Sequence, residues 1–366
     1  MMETIKVQGT PNIYRHHDGA IKEMAQVICR YGLKKGLLVT GEASYRVAEP
    51  HLRATDLNVV VEQYSGECSR EEVTRLEAIA EEGGVDYLIA VGGGKVIDVT
   101  KATATLMRLP YFIIPTLASN CAALTPLSVF YTEEGVFTDH VIFDQAAFMV
   151  AVEPKIMIET PSEYLRAGIG DTLAKWYEAR PLVLEMVHQP LAVKVSQHAA
   201  KLCQDVLITS GKQALDDAKQ KVVSNEFIDV VDAIIMASGM VGGFGEHYGR
   251  ISGAHSIHNG LTVLEETHHL LHGDKVSYGI LVQLALFNEW DEIDQLLPYY
   301  DELGLPKTFA DFGITKDLDE KWEHVARHAV RENESIHLLG EVTKEALHLA
   351  MCELEQHVII RAQRGE

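Results

Sequence analysis

The 366-residue chain is poor in cysteine and short of positive charge, and it holds no long apolar run. Its five cysteines, Cys29, Cys68, Cys121, Cys203 and Cys352, are odd in number and widely spaced, with no CxxC pair. That excludes a disulfide framework and a zinc ribbon, and it fits buried thiols in a reducing compartment. No stretch approaches the roughly 18 apolar residues of a membrane span. The first 19 residues carry no apolar core and no cleavage signal, so the expected location is cytoplasmic, with no membrane partner. Lys and Arg number 32 against 53 Asp and Glu, a net charge of −21. Such a surface repels phosphate backbones, so nucleic acid is excluded as a partner. An anionic substrate or cofactor would have to find its positive charge locally. Internal repeats and low-complexity linkers are also missing. With 47% hydrophobic and 23% charged residues the chain is globular, and its length suggests two domains.

Up to about residue 158, short β-branched runs alternate with helical patterns. Gly36–Thr40, Asn58–Gln63, Asp86–Val91 and Tyr111–Pro115 read as strands, and Arg70–Glu82 and Lys95–Met107 as helices. This alternation predicts an α/β domain over 1–158, with a parallel sheet covered by helices on both faces. From 159 to 366 the periodicity is helical, with segments at 191–213, 217–241, 275–289 and 340–362. Thr160-Pro161-Ser162 marks a helix start. An all-α domain is expected there, packed against the first across a cleft.

Gly92-Gly93-Gly94-Lys95 follows a hydrophobic strand and opens a helix. Consecutive glycines let a backbone approach a phosphate, and the helix N-terminus supplies free N–H groups. Neither GxGxxG nor the Walker spacing is present. Asp98 in that helix is read as a first-turn charge favourable to the helix dipole. Further along, His255 and His258 lie one helical turn apart, and His268, His269 and His272 follow within 18 residues. Asp171 sits in the small-residue stretch Gly168-Ile169-Gly170-Asp171, read as a turn at a helix start. Two histidines and a carboxylate with an open position suit Zn²⁺ or Fe²⁺. The alternative is that Asp171 is a helix cap and the histidines are structural. A phosphate cradle in one domain and a Lewis acid in the other point to hydride transfer.

The motifs GGGKVID, PTLASN, GIGDTLAKWYEA, AHSIHNG and HHLLHGDKVSYG, in this order and spacing, resemble the iron-containing alcohol dehydrogenase superfamily, in its glycerol dehydrogenase-like branch. The resemblance spans essentially the whole chain. It implies the dehydroquinate synthase-like fold, a nicotinamide cofactor as NADP(H) or NAD(H), and a divalent metal: zinc or iron, with nickel and manganese as alternatives. It also implies a homo-oligomer and a small-molecule substrate. Carried over by residue, the metal ligands would be Asp171, His255 and His272. The cofactor would meet Gly41, Gly93, Gly94, Lys95, Thr116, Ser119, Thr125, Leu127 and Tyr131, the last two having core packing as the alternative.

The departures from the family pattern are informative. Cys121 stands where glycerol dehydrogenases carry an Asp that contacts the polyol, and a thiol is a poor acceptor for a hydroxyl. Lys175 stands where many relatives place a fourth ligand, a histidine. Gly41 replaces the acid that holds the adenosine ribose of NAD, which leaves room for a 2′-phosphate near Ser44 and Arg46 unless Glu42 swings in. Asn-Cys-Ala-Ala-x-Thr-Pro-Leu-Ser, GDTLAKWYEA and GMVGG together are similar to the hydroxycarboxylate dehydrogenase A branch, which implies reduction of a 2-oxo acid. Lys175 and Arg250 are then candidate anchors for its carboxylate, with ion pairing to Asp171 and a surface salt bridge as their respective alternatives. His258 is a proton relay or a support for the metal ligands, with a purely structural role as the alternative. A glycerol or polyol dehydrogenase is the second reading, and a dehydroquinate synthase-type lyase a remoter one, lacking a dense basic cluster for a phosphorylated substrate.

Overall fold

A computed structural model describes residues 5–184 and 186–364. The first half runs β1 (Ile13–His16), α1 (Ala20–Arg30), β2 (Gly36–Thr40), α2 (Glu42–Arg53), β3 (Val59–Gln63), α3 (Arg70–Gly83), β4 (Tyr87–Gly92), α4 (Gly94–Leu106), β5 (Tyr111–Pro115), β6 (Leu127–Tyr131), β7 (Phe137–Ile142) and β8 (Met149–Val152). Six strands form one sheet in the order β1-β8-β5-β4-β2-β3, every neighbouring pair parallel. Strands β2, β4, β5 and β8 are buried at every position, as strands sandwiched between helices must be. The chain leaves β2 for β3 at the sheet edge and returns to β4 on the other side of β2. Chain direction across the sheet therefore reverses between β2 and β4. A crevice opens at their carboxyl ends, the usual ligand position in open α/β sheets.

The sequence pattern passes over β1, α1, α2, β8 and the antiparallel pair β6–β7. Each is short, or its pattern is broken by polar residues or by Pro50 inside α2. Asp98 does not act at the helix N-terminus, because it lies beyond the first turn of α4. Its carboxylate accepts the Val129 N–H at 3.0 Å and pairs with Lys101 at 2.8 Å. Fully buried Lys101 in turn donates to the carbonyls of Ala122, Thr125 and Leu127. This ion pair is a peg that holds the 119–129 loop and the start of β6 against α4.

The second half is helical: α5 (Pro154–Met157), α6 (Ser162–Leu184), α7 (Leu191–Gln220), α8 (Asn225–Asp232), α9 (Ser238–Gly245), α10 (Gly253–Leu261), α11 (His272–Leu286), α12 (Trp290–Leu303), α13 (Leu318–Ala329) and α14 (Lys344–Arg364). The single helix expected over 217–241 is two. Lys221 ends α7 in the left-handed conformation, and the Ser224 side chain caps α8 by accepting the Phe227 N–H. A π-helical stretch, Ala233–Ala237, joins α8 to α9. By length and composition Asn225–Tyr248 would pass for a membrane span, with mean hydropathy 1.7, contrary to the expectation from the sequence. Its most apolar stretch is 67% buried inside the protein, the pattern of a core helix.

Two features bind the halves and the helices together. Asp232 Oδ1, at the end of α8, accepts from Tyr14 Oη at 2.7 Å and contacts His16 Nδ1 at 2.8 Å, and Gln8 N–H donates to the Gly243 carbonyl. At the crossing of α6 and α11, a Cβ on Gly273 would lie 1.7 Å from the Ala167 carbonyl oxygen, and one on Gly170 would lie 2.6 Å from the Gly273 carbonyl oxygen. Only glycines allow this approach, and it sets the first residue of α11 beside the middle of α6.

Candidate active site

Asp171 is not at a helix start; it lies in the middle of α6 and is buried. The small residues around it serve the crossing with α11. That crossing brings in His272, and α10 presents His255. His272 Nε2 lies 3.1 Å and His255 Nε2 3.3 Å from the same oxygen, Asp171 Oδ1. All three donors lie within 4.8 Å of one another. His268 and His269 do not join them: His268 turns its Nε2 to the Thr262 carbonyl, and both are exposed.

Each imidazole has a partner on its far nitrogen. Glu178, two turns beyond Asp171 on α6, contacts His255 Nδ1 through Oε2 at 2.7 Å and accepts the His255 backbone N–H through Oε1. His258 Nε2 lies 2.9 Å from His272 Nδ1, and His258 Nδ1 meets Asn259 Oδ1. Asn259 then donates to Glu334. Consistent donor roles put a proton on Nδ1 of both His255 and His272, leaving both Nε2 lone pairs facing Asp171. Lone pairs aimed at a carboxylate oxygen require a cation between them. In its absence a proton serves: burial opposes charge on His255, but Glu178 and Asp171 outweigh it and raise its pKa to about 9. Burial alone would raise the Asp171 carboxyl. Lys175 and the two imidazoles overcome that and hold it well below the usual range, so it is ionised. Glu178 was not singled out in the sequence. Its signal was the seven-residue spacing from Asp171, which returns to the same face of a helix.

The sheet side of the cleft is built differently. Gly41 after β2 and Gly93 after β4 are the N-caps of α2 and α4, and neither helix start receives a side-chain cap. The free N–H groups of both therefore face the crevice between β2 and β4. A Cβ on Gly93 would meet Leu117 at 3.1 Å, and one on Gly94 would meet Asn120 at 3.4 Å, so the cradle has the width of bare backbone. Lys95 is exposed, and its ammonium pairs with Glu67 and stands 5.4 Å over the Tyr131 ring. Thr116 Oγ1 donates to Ser44 Oγ at 3.3 Å across the crevice. Ser119 is half-buried in the loop after β5, and Thr125 turns back to the Cys121 carbonyl. Leu127 and Tyr131 lie on the half-buried face of β6, opposite the buried Ser128 and Phe130.

The family model of iron-containing alcohol dehydrogenases matches residues 11–152. Hydroxycarboxylate dehydrogenase A of Escherichia coli (strain K12) is 39% identical over 358 residues, covering 96% of this chain and 98% of the relative. The chain belongs to the iron-containing alcohol dehydrogenase family. A glycerol dehydrogenase of Citrobacter freundii is 37% identical over 82% of each chain. The crystal structure of glycerol dehydrogenase from Schizosaccharomyces pombe superposes with a TM-score of 0.88 at 26% identity, over 99% of this chain and 94% of that one. This iron-containing alcohol dehydrogenase is an oxidoreductase that works on a small molecule with a divalent metal and NAD(H). The oriented nitrogens of His255 and His272 and the ionised Asp171 suit such an ion, and the uncapped starts of α2 and α4 suit a pyrophosphate.

Beside the donor triad the dehydrogenase holds Lys175, and Arg250 follows it through a backbone contact. Lys175, one turn from Asp171, makes no ion pair with it among the described residues; its ammonium reaches the Arg250 carbonyl at 3.3 Å. Burial works against the charge of Lys175, but Asp171 and Glu178 keep it protonated. Arg250 is half-buried, and its Nε has no hydrogen-bond partner. Among the described residues it forms no salt bridge, although Glu246 lies in its field. Cys121 lies in the electrostatic field of both cations.

Proposed function

We propose that this dehydrogenase reduces a small 2-oxo acid to a 2-hydroxy acid, using NADPH or NADH. The observation that carries this reading is the pair Lys175 and Arg250: a buried ammonium one turn from Asp171, touching the backbone of an arginine whose buried Nε is left without a hydrogen bond. A buried cation without a partner is costly unless an anion completes it. A carboxylate bonded directly to the reacting carbonyl carbon is an anion of the right reach, and Cys121 removes the acceptor that a polyol would need. The name of the Escherichia coli relative agrees, since it acts on hydroxycarboxylates.

In this reading Asp171, His255 and His272 hold the ion, and Glu178 and His258 fix the two imidazoles in the tautomer that leaves Nε2 free. When bound, the ion polarises the ketone oxygen and the reduced nicotinamide supplies the hydride. Lys175 and Arg250 grip the carboxylate and orient the carbonyl face toward the cradle. His258 acts through His272, as a positioning residue. Gly93, Gly94 and the backbone of Lys95 meet the pyrophosphate, and Thr116, Ser119, Thr125, Leu127 and Tyr131 line the remainder of the cofactor. At Gly41 there is no acid to repel a 2′-phosphate. Among the described residues Arg46 is held only by Glu42, at 3.0 Å, with both side chains more than 70% exposed; such a pair is weak and frees Arg46 to turn to the phosphate. The five free cysteines suit the cytoplasm, and the exposed Leu184, Val187 and Leu191 where α6 gives way to α7 suit a homo-oligomer.

The test is a panel of 2-oxo acids, glycerol and neutral ketones with both cofactors. Lys175→Met and Arg250→Ala should each cost about 10- to 150-fold in kcat/KM on 2-oxoglutarate, the loss of a charge-assisted contact. Neutral ketones should be spared. Equal losses on both substrate types would place the anchor elsewhere. Efficient turnover of glycerol and none of 2-oxo acids would establish polyol oxidation, the reading that the glycerol dehydrogenase relatives favour.

A further inference from the structure

A second set of mixed donors lies far along the chain from the first, at the seam of α13 and α14. His348 and Cys352 are one turn apart on α14, and Asp319 stands in the first turn of α13. His348 Nε2 is 3.0 Å from Asp319 Oδ1 and 4.0 Å from Cys352 Sγ, and the three donors lie within 4.8 Å of one another. In a tetrahedral zinc site, with Zn–N and Zn–O near 2.0 Å and Zn–S near 2.3 Å, ligand atoms are separated by about 3.3–3.6 Å. The observed edges bracket that range. Asp319 is 88% exposed, and His348 is partly open to solvent, so an ion can enter without unfolding. The field at the thiol is acidic, with Asp319 contributing most and Glu355 and Glu353 adding to it. Nearby Lys344 is engaged by Glu323 and Glu345. The edge of Trp322 meets the His348 ring at 6.3 Å and limits its swing.

We propose that Asp319, His348 and Cys352 form a second metal site, one that takes a thiophilic divalent ion such as Zn²⁺ or Co²⁺ and clips α13 to α14. The donor set of one carboxylate, one imidazole and one thiol selects borderline metals over Mg²⁺ or Ca²⁺. Water completes the fourth position. The ion displaces the thiol proton into solvent, and no bond is oxidised or reduced. The clip joins the helix that packs on α10, which carries His255, to the helix that packs on α11, which begins at His272.

Cobalt titration of the enzyme tests this directly, because the Asp171–His255–His272 site contains no sulfur. Wild-type protein should bind two Co²⁺ per chain, with a thiolate-to-cobalt charge-transfer band in the near ultraviolet. Cys352→Ser should lose the band and bind one ion, whereas Asp171→Asn should keep the band. His348→Gln should weaken the band-forming site by at least about 10-fold. One ion per chain in the wild type, or a band that survives Cys352→Ser, overturns the proposal. So does a band indifferent to His348→Gln, which would mean the thiol acts without the imidazole. None of these outcomes depends on which substrate the enzyme reduces.

Discussion

On the sheet side of the cleft the protein offers its ligand backbone: two uncapped helix starts, at Gly41 and Gly93, at the ends of adjacent strands. On the helical side it offers side chains from three helices, each imidazole braced by a second residue. The first kind of site is local, since a strand, a turn and a helix suffice. The second depends on how α6, α10 and α11 cross, so a residue far from any ligand can abolish it. Charge follows the same division. The cradle needs little of its own, whereas the helical wall buries Asp171, Lys175 and Glu178 on one helix.

The most severe test of this contrast is Gly273→Ala. The new Cβ would sit 1.7 Å from the Ala167 carbonyl oxygen, so α11 must move bodily. A loss of about 5 kcal/mol or more is expected, with failure to retain metal, read by denaturant unfolding and metal analysis. Next is Lys101→Met, which strands Asp98 and unpegs the 119–129 loop. Breaking a buried ion pair costs about 3–5 kcal/mol, and the loss should come with a raised KM for the cofactor and no change in metal content. An intact cofactor KM would mean that the loop holds its shape without the peg.

A third test contrasts the paired carboxylates with Glu355, which is buried on α14, accepts the Phe309 N–H at 2.6 Å and has the Tyr278 hydroxyl beside it, with no cation among its partners in the described residues. Burial, with Asp311 adding to it, lifts its pKa from 4.5 to about 7. The folded state thus holds this proton more tightly than the unfolded chain does. Its contribution is fully present below about pH 4.5 and is lost as pH rises through 7. Glu355→Gln should match the wild type near pH 4 and exceed it by roughly 2–3 kcal/mol at pH 8. Parallel stability curves across that range would refute it. The smallest effect is expected for Glu178→Gln, whose amide oxygen can still accept from His255 Nδ1 while its amide nitrogen meets the Ser252 and His255 backbone N–H groups and the charge is removed. Metal affinity should fall about 10- to 100-fold in a chelator competition, with the fold intact.

The same division governs what could be read from the sequence. The strands β2, β3, β4 and β5 and the glycine turn are legible because their signals are contiguous: β2 and β5 lie where the apolar runs end. The donors Asp171, His255 and His272 were named from motifs, but their arrangement was not. Asp171 looked like a residue of a turn because Gly168 and Gly170 look like turn residues. Their small size instead serves a helix crossing, which has no local signature. Glu178 was passed over for a related reason: its seven-residue spacing from Asp171 gains meaning only when its partner, 77 positions away, is known. The hairpin β6–β7 escaped because β7 is almost entirely exposed and so carries no alternation of burial.

The link from Tyr14 and His16 to Asp232 bears on how this enzyme can be recombined with its relatives. Although β1 completes the sheet beside β8, its Tyr14 and His16 side chains are partnered by the helical half. A chimera that joins the sheet half of one relative to the helical half of another at a single junction near residue 158 would separate these three residues by ancestry. Grafts that inherit residues 8–16 together with the helical half keep the bonding set whole. For exchanging cofactor preference between relatives, the transferable block therefore begins after β1 and ends before β8.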